Sequence, residues 1–229
     1  MQNIPATFDE PKTGGKVRRA VSLFAAGVVA CLFSACATGV KDTSRTFSGV
    51  VLDAGHGGHD SGTMSRYAGR EKDATLEVVM RLRPKVSNAG FRTVLTRGDD
   101  TFIPLATRAA ISNRNHNVIF VSVHFNDSPR SRIRGTEVYY NSRCSAGIAQ
   151  NILNEVAAIS GGSRGIHTAN FAVLRRAQYP AVLVECGYFS NPAEGRRCGN
   201  GAYREQLAGA IARGIYAQRH GAAWLGAAE

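Results

Sequence analysis

Two histidines and a glutamate stand where apolar segments of this chain give way to polar or glycine-rich sequence, and a second glutamate follows the glycines. His56 lies in VVLDAGHGGHDSGT (Val50–Thr63), just after the run Val50-Val51-Leu52. His124 follows VIFVSV within VIFVSVHFND, and Glu185 follows AVLV within AVLVECGYFSN. Glu71, in GREKDATLEVV, opens the stretch that follows the glycines. Two imidazoles and one carboxylate make a three-ligand zinc site with a fourth position open to water. A second carboxylate would serve as general base. Glu71 and Glu185 both fit the third-ligand place, and spacing leaves the choice open. Each residue also has a plain structural use. A lone histidine at a strand end is commonly a satisfied structural residue, and a first-turn glutamate commonly a charge on a helix terminus.

Gly55, Gly57, Gly58 and Gly62 surround His56. Glycine lets the backbone turn sharply or approach a ligand closely. Read as a phosphate loop, GHGGHDSG lacks both the Lys-Ser/Thr ending of a P-loop and the glycine spacing of a dinucleotide fingerprint.

The elements that must position these groups alternate. Strands are expected at Val50–Leu52, Phe91–Thr96, Val118–Phe125, Gly135–Tyr140, Ala169–Leu174 (short) and Ala181–Cys186. Helical spacing marks Glu71–Ala89, with Pro84 inside it as a kink, then Pro104–Asn115, Ala146–Ile159 and Tyr203–Gln218. Alternating strands and helices with near-continuous apolar strands predict an α/β fold. The expectation is a single domain with a mostly parallel twisted sheet and helices on both faces. Ligands of such sheets bind at the carboxyl ends of the strands, where His56, His124 and Glu185 fall.

The chain has 229 residues and a formal net charge of +11, with 44% hydrophobic and 20% charged residues. That composition is globular. Its charge suits an acidic polymer or an anionic surface. With no zinc-finger, ribonucleoprotein or dense basic-helix pattern, nucleic acid is not expected as a partner. Lys16, Arg18 and Arg19 precede an almost wholly apolar run, Ala20–Ala35, in the layout of an export signal. The run is shorter than the roughly 20 residues of a spanning helix. Phe33-Ser34-Ala35-Cys36 resembles a lipobox, so residues 1–36 read as a signal peptide ending at a lipid-anchored Cys36. Residues 37–48 read as a polar tether, 49–220 as the catalytic domain and 221–229 as a short tail.

The chain as a whole resembles the zinc-dependent N-acetylmuramoyl-L-alanine amidases of amidase-3 type, bacterial cell-wall hydrolases. Five blocks carry the resemblance in order: VVLDAGHGGHDSGT, EKDATLEV, TRGDDTFIPLATRAAISN, FVSVHFND with GTEVYY, and FAVLRRAQYPAVLVECGYFSNPAE. They span nearly everything from Gly49 to Gln218. The resemblance implies that His56, Glu71 and His124 hold Zn2+ and that Glu185 is the catalytic glutamate. It implies hydrolysis of the amide between the lactyl group of N-acetylmuramic acid and L-alanine of the stem peptide, with peptidoglycan as partner. The location implied is the periplasm or cell envelope, and a lipid on the lipobox-like Cys36, followed by Ala37 rather than aspartate, is expected to anchor the protein to the outer membrane. Two rival readings are a non-catalytic wall-binding lipoprotein and a zinc peptidase that cuts within the stem peptide. The segments His124–Gly135 and Asn141–Ala146 leave no room for the helical plug of some relatives, so no obligatory activator is expected.

Other residues carry smaller expectations. Asp53 could orient His56, with a strand-end turn role slightly preferred. His59 reads as a surface loop residue. Asn126 shares the side of His124 if the strand continues. Arg97 and Arg108 could brace the sheet edge or meet substrate carboxylates, with a bracing ion pair preferred. Cys186, one residue after Glu185, faces the opposite way under a helix, which leaves Cys144 and Cys198 as a possible disulfide.

Overall fold

The computed structural model describes residues 39–221. The proposed signal, Cys36 and residues 222–229 lie outside the described residues. In chain order the elements are β1 (Gly49–Ala54), β2 (Met64–Ser65), β3 (Gly69–Arg70), α1 (Glu71–Asn88), β4 (Arg92–Leu95), α2 (Leu105–Asn113), β5 (Val118–Asn126) and β6 (Thr136–Tyr140). They continue as α3 (Ala146–Ser160), β7 (Ser163–Thr168), α4 (Ala172–Arg175), β8 (Ala181–Tyr188), α5 (Pro192–Cys198) and α6 (Gly201–His220).

Six strands form one sheet in the order β4-β1-β5-β8-β6-β7, and β2 pairs with β3 as a separate hairpin. Only the β6–β8 pairing in the large sheet is antiparallel. Period-two alternation divides the strands between two cores. Leu52, Val121, Val123, Val184 and Cys186 join the core shared with α1, α3 and α6. Val51, Phe120 and Leu183 join a smaller one with Val173 and Leu174 of α4. Helices therefore cover both faces, as expected. Each fully buried aliphatic side chain contributes roughly 1.5–3 kcal/mol, so strands that are apolar on both sides are held in the middle of the sheet.

Local signals place the last two helices. Asn191 and Asn200 cap α5 and α6, each accepting from two backbone N–H groups of the first turn. Pro192 sits at the start of α5, where its missing N–H costs nothing.

Three expectations need correction. Residues 41–48 are not free tether: Phe47 is fully buried, and the Thr43 hydroxyl donates to the Val118 carbonyl at 2.6 Å. The segment is polar except for that one ring, so its docking does not show as periodicity. Ala169–Leu174 is not a strand. The strand is β7, one element earlier, an edge strand of mostly exposed polar residues, and a single helical turn, α4, follows it. Cys144, Cys186 and Cys198 are all free thiols. Ser145, next to Cys144, accepts from the N–H of Ala181 at the start of β8, whereas Cys198 lies against Gly187 at its end. A strand of that length spans roughly 20 Å, beyond disulfide reach. Cys186 is buried on the α6 side, as alternation requires.

Candidate active site

β1, β5 and β8 are adjacent and parallel, so their carboxyl ends share one edge. His124 stands directly beside Glu185 in the β5–β8 register. Both side chains share the face of Asp53 and Ser122, since alternate residues point the same way. His56 comes from the loop after β1. Glu71, the first residue of α1, returns to the same edge because Thr63 and Ser61 carbonyls accept from the N–H groups of Glu71 and Lys72.

These residues meet. Glu71 Oε1 lies 3.0 Å from His56 Nε2 and 3.0 Å from His124 Nδ1. One ligand atom from each of the three residues falls within 4.8 Å of the others. The two imidazole rings meet edge to face, with centroids 4.8 Å apart. Glu71 is 3% exposed, and backbone N–H groups hold both of its oxygens. Phe125 donates to Oε1 and Thr63 to Oε2. Burial alone would raise its carboxyl, but hydrogen bonds and charge from His124 and His56 override this and hold it far below the usual carboxylate range. For His56, burial favours the neutral ring, while Glu71 and Asp60 raise its affinity for a proton and prevail. Two imidazole nitrogens and an anionic oxygen, gathered and oriented in this way, suit a divalent metal of the zinc type.

The glycines now have a physical reason. A Cβ on Gly55 would lie 2.3 Å from the His124 ring, and one on Gly62 would lie 2.7 Å from both Glu71 Oε2 and His56 Cδ2. Gly62 also has φ of +61°. His56 itself sits at φ +61°, one of two non-glycine residues in the left-handed region among those described. Such strain persists only where surrounding contacts impose it. Those contacts are present. Arg108 Nη2 donates to the His56 carbonyl, and Asp60 Oδ1 lies 3.0 Å from His56 Nδ1.

Glu185 lines a cavity of about 490 Å³ together with His56 and His124. Its Oε2 is buried without a hydrogen-bond partner. Burial, then the charges of Glu71 and Glu137, push its carboxyl well above the usual range. Glu137, opposite Glu185 in the β6–β8 register, is itself buried and accepts from Tyr139, Tyr188, Asn126 and Arg164. The other cavity walls come from Phe102, Ile103 and Leu105 before and at the start of α2, and from Phe171–Val173 at α4.

Asp53 does not orient His56, nor is it a turn residue. It is fully buried and accepts from Thr96, Ser122 and Arg108. Arg108 forms the expected bracing ion pair with it, at 2.9 Å. Arg97 braces differently, through carbonyls of Ala54, Gly55, Lys72 and Asp99. Asp60 is the residue beside the second nitrogen of His56, and sequence reasoning missed it. Its signal was local, an aspartate four residues on in a glycine turn that closes by paired Gly57–Asp60 backbone hydrogen bonds. His59 is exposed and packs against Phe102, with ring centroids 4.1 Å apart and the planes tilted by 41°.

A doubly covered, mostly parallel sheet, with a His-Glu-His cluster able to hold a metal ion and a glutamate whose buried Oε2 lacks a partner at its carboxyl edge, defines a single-domain α/β protein with the site of a hydrolase. The family Amidase_3, N-acetylmuramoyl-L-alanine amidase, matches residues 50–217, and the chain belongs to it. The YqiI protein of Bacillus subtilis is 34% identical over 171 residues, covering 72% of this chain and 82% of that protein. The N-acetylmuramoyl-L-alanine amidase AmiA of Escherichia coli is 30% identical, covering 75% and 76% respectively. Among solved structures, the catalytic domain of CwlV, an amidase from Bacillus (Paenibacillus) polymyxa, superposes with a TM-score of 0.71. It is 35% identical over 74% of this chain and 96% of that one.

Proposed function

We propose that this chain cleaves the amide between the muramoyl lactyl group and L-alanine in peptidoglycan, with Zn2+ held by His56, Glu71 and His124 and with Glu185 moving the proton. The observation that carries this reading is the convergence of His56 Nε2, His124 Nδ1 and Glu71 Oε1 beside the unpartnered Oε2 of Glu185. Zinc bound there would acidify a coordinated water and polarise the scissile carbonyl. Glu185 accepts a proton from the attacking water and returns it to the departing amine of L-alanine. Its setting, which favours the protonated carboxyl, makes it a competent donor in the second step. Arg108 and Asp60 keep His56 in its strained pose, and the backbone N–H groups of Thr63 and Phe125 keep Glu71 anionic and fixed.

Mass spectrometry of digested sacculi tests the reaction. The expected products are stem peptides with a free L-alanine amine and no attached sugar. Cuts confined to the stem peptide would show a peptidase instead, and intact sacculi would refute the enzyme. Glu185→Gln should abolish turnover while retaining metal, and His124→Ala should lose both. The same reading places the enzyme in the cell envelope, held by a lipid on Cys36, so Cys36→Ala should move it from the membrane to the soluble fraction. Among the described residues no helix is long and apolar enough to cross a membrane.

A further inference from the structure

The rim of the cleft beyond the metal cluster carries a concentration of arginine that catalysis does not use. Three segments build it: residues 64–70 with the β2–β3 hairpin, the loop 127–135 between β5 and β6, and 189–198 leading into α5. Hydrogen bonds knit them together. Ser65 Oγ donates to the Phe189 carbonyl, the Ser128 N–H to Ser190 Oγ, and Asn191 Nδ2 to the Ser131 carbonyl. The rim joins the site directly, because the Thr63 N–H donates to Glu71 and Asp127 lies three residues past His124.

Six exposed arginines stand on these segments: Arg66, Arg130, Arg132, Arg134, Arg196 and Arg197. Of these, Arg197 lies 3.6 Å from the buried Glu194, and a seventh arginine, Arg70, is paired with Asp73. The only exposed acid on the three segments is Asp127, since Glu194 is buried and accepts from Gly135 and Tyr188. Two of the guanidinium groups are oriented in advance: Arg66 and Arg196 both lie over the Tyr67 ring, 4.8 Å and 5.0 Å from its centroid. Holding a guanidinium on a ring lowers the ordering cost of binding. The cavity beside Glu185 differs, and none of these six arginines lines it. It presents Phe102, Leu105 and Phe171, and its one arginine, Arg108, is buried and engaged. Apolar surface therefore lines the cavity on the α2 and α4 side of the His-Glu-His cluster, whereas the positive charge stands on the segments around the β2–β3 hairpin and α5.

We infer that the arginine rim binds the carboxylates of stem peptides, so that substrate lies with its peptides toward α5 and its glycan toward α2 and α4. This rests on the amidase reading above. Guanidinium groups match carboxylates in bidentate geometry and stay charged at any working pH. Stem peptides present several carboxylates, while the glycan is close to neutral before cleavage. An anionic membrane is the poorer match. Interfacial binding needs exposed apolar side chains to insert, and Met64 is the only exposed large hydrophobic residue on the rim.

The test separates binding from turnover by using full-length Glu185→Gln protein. It is sedimented with native sacculi and with sacculi whose carboxyl groups have been amidated. The expected result is a loss of affinity of about tenfold on amidated sacculi, the scale of several exposed ion pairs acting together. The loss should shrink as salt is added. Adding Arg130→Gln, Arg132→Gln and Arg134→Gln should cause part of the same loss on native sacculi and reduce the sensitivity to amidation. Arg66→Gln with Arg196→Gln, on different segments, should act in the same direction, which guards against misfolding of one loop. Undiminished binding to amidated sacculi would overturn the proposal, as would arginine variants that bind native sacculi like the parent. Loss of binding to phosphatidylglycerol vesicles alone would also overturn it, by making the rim a membrane surface. Failure of the amidase reading would appear separately, as wild-type protein that binds sacculi but releases no peptide.

Discussion

Replacing Arg108 by methionine tests whether the buried ion pair holds the catalytic loop. The Arg108 and Asp53 side chains are 2% and 1% exposed. Arg108 Nε donates to the Ile103 carbonyl, Nη1 to Asp53 Oδ1 and the Ala54 carbonyl, and Nη2 to the His56 carbonyl. Methionine keeps much of the apolar stem but leaves Asp53 as a buried charge held only by the Thr96 and Ser122 hydroxyls. Removing one partner of a buried pair costs about 3–5 kcal/mol. For a domain of this size that corresponds to a fall in Tm of roughly 10–15 °C. Denaturant unfolding of metal-free protein is the assay. Asp53→Asn combined with Arg108→Met removes both charges and should recover part of the loss, giving a coupling of at least about 2 kcal/mol in a double-mutant cycle. The lost donor to the His56 carbonyl should also lower metal affinity, since His56 is held at a strained φ. A destabilisation below about 1 kcal/mol, or simple additivity in the cycle, would refute the reasoning.

Gly62→Ala should reduce metal affinity at least about tenfold, read by titration calorimetry, because its methyl would press on Glu71 and His56 at a backbone angle that alanine resists. Metal uptake should weaken as pH falls. The ring of His56 binds protons above its ordinary value of 6.5, and a ligand must be neutral. In metal-free protein the sign is opposite. The protonated His56–Glu71 contact stabilises the fold below pH 6.5 and is lost as pH rises through the raised value. The metal-induced rise in Tm should therefore grow from acid toward neutral pH, and a flat profile would contradict the His56 assignment. Thiol titration of denatured, unreduced protein should find Cys144, Cys186 and Cys198 all reactive, and a blocked pair would restore the disulfide that the structure excludes.

Much of this architecture was legible in the chain because its signals are local. Apolar runs at Val50–Leu52, Val118–Val123 and Ala181–Val184 can be satisfied only in a sheet covered on both sides, and a parallel sheet delivers its strand ends to one edge. That edge is where His56, His124 and Glu185 had to fall. Elements with weak or non-periodic signals were misread. β7 is a polar edge strand, α4 is one turn long, and Phe47 docks from a segment that is otherwise polar. Long-range pairings left no trace in spacing. Nothing near Asp53 announces Thr96, Ser122 and Arg108, 43 to 69 residues away, as its partners. Likewise only the fold brings the exposed arginines of three separate segments to one rim.

What the sequence determined by itself was the set of elements and the edge at which its reactive groups emerge, because hydrophobic period and turn chemistry act over a few residues. Which carboxylate joins the two imidazoles was left to the tertiary structure. The 3.0 Å approach of Glu71 to both histidines depends on a loop of fixed curvature, a strained His56 and a buried arginine. Those constraints act between segments that meet only when the chain is packed.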